Sequence, residues 1–141
     1  MQITARVVPA VGRLRRRPAY RAIRRAVRTS LGRADFRIVE LSVHATRLEL
    51  IVEATDKAAL ARGMQGFQIA AARYLNRVAR RRGPVFPDRY RARALTSRRA
   101  VRRAIGELPA RDRTCSPQTW LLRIDGTARP RPRPRPHPRP P

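Results

Sequence analysis

The sequence predicts an α+β fold, a ferredoxin-like βαββαβ arrangement with an antiparallel sheet, on three observations. Two β-prone runs, 36–43 and 48–52, flank a short connection and read as a hairpin. A segment with apolar residues at helical spacing stands on either side of that hairpin. A β-prone run opens the chain, and a basic alternating segment follows the second helix, so the order is strand, helix, strand, strand, helix, strand. An extra C-terminal helix and a disordered Arg-Pro tail are expected beyond this frame.

Taken in order, ITARVV at 3–8 is the first strand, stopped by Pro9, and 9–17 is a basic loop. Pro18 suits the first turn of a helix, where its missing N–H costs little. Tyr20, Ile23, Val27 and Leu31 then form one apolar stripe, and Gly32 stands as the residue closing the helix. Arg21, Arg24, Arg25 and Arg28 lie off that stripe, as either a solvated face or a set of phosphate contacts.

Within the third strand, Leu48, Leu50 and Val52 alternate with Arg47, Glu49, Ile51 and Glu53. Arg47 and Glu49 therefore project side by side on the face opposite the apolar set, as a solvated ion pair or as groups that hold a ligand. The connection before them, 44–46, carries His44, one of two histidines. A histidine beside a turn is most often a surface residue.

Thr55 or Asp56 caps the longest helix, read over 57–82. Leu60, Met64, Phe67, Ala71, Tyr74 or Leu75, and Val78 make its stripe. Gly63 and Gly66 lower its propensity and suggest close approach to another backbone. Arg77, Arg80, Arg81 and Arg82 crowd its end before Gly83-Pro84 stops it. Four arginines in six residues exceed what the helix dipole needs. In the extended segment 85–95, alternation sets Arg89, Arg91 and Arg93 against Tyr90, Ala92 and Ala94. Arginines beside an aromatic suit single-stranded or hairpin DNA, with Tyr90 as a stacking residue. Ser97 caps a last helix, 98–105, with Val101, Ala104 and Ile105 inward. An irregular segment follows at 107–128, where Trp120, Leu121, Leu122 and Ile124 offer a docking group. The Arg-Pro tail, 129–141, closes the chain as polyproline II or disorder.

The composition narrows the partners. A net charge of +25, with Lys57 the lone lysine among 34 basic residues, favours a polyanion. Cys115 is the sole cysteine, which excludes an intramolecular disulfide and fits a reducing compartment. No signal-like or membrane-length apolar run is present, so a cytoplasmic protein without a membrane partner is expected. There is no glycine-rich phosphate loop, zinc-type Cys/His spacing or Ser-His-Asp set.

On this frame the residues resemble the single-tyrosine HUH transposases, in particular the REP-associated tyrosine transposase-like proteins of bacteria, over about 3–106, within a domain read as 1–106. The strings RAIRRAVR at 21–28, FRIVELSV at 36–43 and SRRAVRRAI at 97–105 carry part of the likeness. The most specific part is RGMQGF followed by LNR, RRRG and VFPDRY within 50–95. CSPQTWLLRIDG is a weaker echo of the family's closing segment. The resemblance implies nicking of single-stranded DNA at hairpin-bearing ends of mobile elements. A tyrosine attacks the phosphate there, beside a divalent metal held by a His-hydrophobic-His strand.

Here Arg47 and Glu49 occupy the two histidine positions, and no tyrosine follows Thr96. Glu49 is the remaining candidate ligand for magnesium or manganese, which matter only if activity is kept, and Arg47 would repel the metal. Tyr90 is the candidate nucleophile, and Tyr74 the other near it. The resemblance then implies a binder of single-stranded or hairpin DNA without strand cleavage, through Arg77, Arg80, Arg81, Arg82, Arg89, Tyr90, Arg91 and Arg93. The alternatives are an active metal-dependent nicking transposase using Glu49 and Tyr90, or a decayed gene product with no selected role. Relatives often dimerise, but no stripe in the sequence specifies a homodimer interface.

Overall fold

A computed structural model describes residues 1–114. The expected docking residues at 120–124 and the Arg-Pro tail lie outside the described residues. The strands are β1 Gln2–Arg6, β2 Phe36–Val43, β3 Arg47–Ala54, β4 Arg91–Arg93 and β5 Asp112–Arg113. The helices are α1 Arg17–Thr29, α2 Lys57–Ala79 and α3 Arg98–Gly106. The sheet order is β4-β1-β3-β2-β5, with every neighbouring pair antiparallel. This is the ferredoxin-like frame with one short strand added at the β2 edge.

Alternation along the strands builds two cores. Ile3, Leu48, Leu50 and Val52 face α1 and α2, where Ile23, Met64, Phe67 and Leu75 complete the larger one. On the other face α3 lays Val101, Ala104 and Ile105 over Val39 and Ile51. A bulge between Ile38 and Glu40 lets β2 serve both. Before it Phe36 and Ile38 point at α1 and α2, and after it Leu41 and Val43 do. One extra residue switches the parity of the strand, so that Val39 is freed to meet α3.

Several expected boundaries move. α1 stops at Thr29, where the Thr29 and Ser30 hydroxyls donate back to the carbonyls of Ala26 and Val27. Gly32 therefore does not close it, and Leu31 is 51 % exposed rather than part of the stripe, which Ala19, Ala22 and Ala26 fill instead. The segment 85–95 is a strand only at Arg91–Arg93. Pro84 and Pro87 lack the N–H that a ladder needs, and Val85 is instead buried, its carbonyl accepting from Val8 N–H at 2.8 Å.

α2 ends at Ala79 rather than Arg82, and Val78 near its end is exposed. Arg80 turns left-handed at φ 51°, and the N–H groups of Arg80 and Arg81 return to the carbonyls of Arg77 and Asn76. Gly63 approaches the Phe36 ring rather than a backbone, and nothing crowds Gly66. Both named caps are present: Asp56 accepts from Ala59 N–H at 2.7 Å and Ser97 from Ala100 N–H at 3.1 Å. No helix of the described residues is long and apolar enough to cross a membrane.

Candidate nucleic-acid interface

The topology gathers charge at one end of the sheet. β1 ends where β3 begins, Arg6 standing opposite Arg47. The hairpin turn is tied to the approach to α1 by Leu14 N–H donating to Ala45 O at 2.9 Å. The segment after α2 reaches the same end through the Val8–Val85 bond. Residues opposite one another in antiparallel strands share a face. Arg91, Thr4, Glu49 and Ser42 therefore form one row across the sheet on the α3 side, with Arg93, Gln2 and Ile51 in the next.

Arg47 and Glu49 project together as the alternation predicts, with Arg47 Nε 3.8 Å from Glu49 Oε1. The nearer partner of Glu49 is His44, whose Nε2 lies 2.7 Å from Oε2, both side chains being 17 % exposed. Sequence reasoning missed this pair. Its signal was the hairpin register: with Val43 opposite Leu48 and Ser42 opposite Glu49, His44 falls diagonally beside Glu49 on the same face.

A divalent ion does not fit these residues. One carboxylate oxygen is engaged by the imidazole, the other faces a permanent guanidinium charge, and a hard cation needs several oxygens. Among the described residues no group of three or more His, Cys, Asp or Glu converges.

The tyrosines stand on the far side. Tyr20, Tyr74 and Tyr90, all that the chain has, pack half-buried against the core that α1 and α2 cover. Tyr74 also carries the Arg25 guanidinium over its ring at 4.6 Å. Glu49 and His44 lie on the other face of the sheet, so the structure does not bring Glu49 and Tyr90 together.

The expected binding arginines divide into three settings. Arg77, Arg80 and Arg82 are exposed at the end of α2, along a shallow basic concavity shared with Arg73 and Asn76. Arg81 is instead a clamp of the turn: it donates to Asn76 Oδ1 at 2.7 Å and to Pro84 O at 3.2 Å, while Asn76 Nδ2 donates to Gly83 O at 2.9 Å. Arg89, Arg91 and Arg93 are exposed at the β4 edge, Arg93 donating to Gln2 Oε1 at 2.6 Å. Arg6, which the sequence did not single out, joins them and meets Asp88 at 3.8 Å, an exposed pair that neutralises little.

Comparison with protein-family models, with curated proteins and with solved structures gives no match. The chemistry of the site thus rests on its own residues. Exposed guanidiniums in a fork geometry take phosphate oxygens in pairs of hydrogen bonds, and several within one patch hold a strand by its backbone.

Proposed function

We propose that this chain is a transposase-like protein that binds single-stranded or hairpin DNA by its phosphates and does not cut it, a role that belongs in the cytoplasm beside the DNA. One observation carries the reading: the arginines carried by β1, β3 and β4 stand on the side of the sheet opposite the tyrosines. Arg6, Arg47, Arg91 and Arg93 share the α3 side, Arg89 precedes them in the segment leading into β4, and Arg80 and Arg82 stand exposed in the turn after α2. A phosphate held there meets guanidinium and the tied His44–Glu49 pair, while all three tyrosines pack against the core on the other face. Tyr90 is half-buried against the core that α1 and α2 cover.

The test is incubation of the protein with a labelled library of DNA hairpins, with and without manganese, followed by filter retention and denaturing electrophoresis. Retention that weakens with salt, and no denaturant-resistant adduct, is expected. The combined Arg82→Glu, Arg89→Glu and Arg91→Glu variant should lose retention, its slope of log K against log salt falling by about 2, from ~0.7 for each single-strand phosphate contact. A manganese-dependent adduct would overturn the absence of cleavage, and unchanged affinity in the variant would remove this surface as the interface.

A further inference from the structure

We infer that the groove between α1 and α2 is a second phosphate-binding surface, behind the sheet from the first, so that one copy of the chain holds two nucleic-acid segments at once. The inference rests on the reading of the protein as a nucleic-acid binder and adds a site to it.

Arg17, Arg21 and Arg25 recur every four residues on α1, which stacks them along one face about 6 Å apart. Arg77 of α2 faces them, and Pro18, Ala22, Tyr74 and Val78 line the space between. The groove has a volume of about 320 Å³ and no acidic side chain lines it. Among the described residues none of its four arginines makes an ion pair. The Asp112 carboxylate goes to Arg24, on the next flank of α1, at 3.4 Å.

The charge pattern is not that of an ordinary solvated helix. α1 carries five arginines and no acidic residue, so like charges stand four apart at 17 and 21, 21 and 25, and 24 and 28. Such pairs weaken a helix unless anions come between them. Two further features suit a single strand. Val78, 43 % exposed, and Pro18 give the groove an apolar lining for sugar or base. Arg25 is already held over the Tyr74 ring, which lowers the cost of ordering it when a phosphate arrives. Because α1 and α2 cover one face of the sheet and Arg6, Arg47, Arg91 and Arg93 share the other, a strand in the groove leaves those four free, while Arg77 is shared between the groove and the concavity at the end of α2. Two separate sites on one rigid body join two segments by effective concentration alone.

The experiment loads the full chain on a biotinylated DNA hairpin fixed to beads and then offers a fluorescent oligothymidylate. Wild-type protein should retain the fluorescent strand only on loaded beads, and sedimentation of the complex in solution should find one chain with both nucleic acids. The Arg17→Glu/Arg21→Glu variant should load on the hairpin as wild type does, yet recover roughly tenfold less of the second strand. Both positions are exposed; an acidic side chain at 17 lies in the first turn and favours the helix dipole, and one at 21 stands four residues before Arg25, so loss of the helix would not explain that result. The Arg17→Gln/Arg21→Gln variant should show a smaller loss, which separates missing contacts from introduced repulsion.

Loading without recovery of the second strand would overturn the second surface and leave the first standing. Recovery by the Glu variant equal to wild type, or bridging that requires two chains, would overturn it as well. Failure to load at all would remove both readings.

Discussion

Gly63 and Gly66 sit one helical turn apart in α2, and the same substitution at each has opposite consequences. A Cβ on Gly63 would lie 2.1 Å from Phe36 Cγ, and both residues are buried. Gly63→Ala should therefore cost about 1–3 kcal/mol in a urea titration, the usual range for overpacking. Gly66 has open space around it, so Gly66→Ala should stabilise by up to about 1 kcal/mol in the same titration. Asp35 offers a test by pH. The Arg33 hydrogen bond, and after it that of Arg62, hold its carboxyl below the ordinary carboxylate value. The ionised form is thus favoured by folding. Its contribution is present above the unfolded pKa, near 4, and is lost as pH falls through the lower folded value. Arg33→Ala should move the Asp35 titration, followed by NMR, back up toward that unfolded value. At this scale the sequence made the caps legible, because Asp56 and Ser97 act through bonds to residues three positions on. The His44–Glu49 pair needed the register as well as the residues.

At the scale of elements, β2 was readable to its ends because its β-prone run is bounded on both sides by breaks in the pattern. The bulge inside it was not, since an extra residue shows only when the partner strand is laid beside it. α3 shows the same division: Val101, Ala104 and Ile105 marked its inward face, but nothing local said which side of the sheet would receive it. β4 was overread because alternation persists along 85–95, whereas a ladder also needs a donor that Pro87 lacks. The basic surface was partly legible for a related reason. A count of arginines locates charge along the chain, but only the folded turn distinguishes Arg81, spent on Asn76 and Pro84, from exposed Arg80 and Arg82.

For the whole molecule, charge opposes compaction and, in the function proposed above, favours the ligand. A net charge of +25 makes the free protein repel itself, and salt screens that repulsion along with the attraction to phosphate. Raising sodium chloride should therefore raise the melting temperature of the free chain while lowering its affinity for a DNA hairpin. Thermal scans and binding titrations on the same salt series check the crossing trends, and a melting temperature that falls with salt would contradict them. Residues at the turn after α2 take part in the same opposition. Arg80 adopts a left-handed conformation that disfavours a side chain by about 1–2 kcal/mol relative to glycine. Arg80→Gly should accordingly give a protein that unfolds at higher temperature and grips DNA less well. A position where heat resistance and affinity pull apart in this way is one that selection for thermal stability alone would rewrite, so the residue found there in proteins of the same kind reports which of the two demands has governed them.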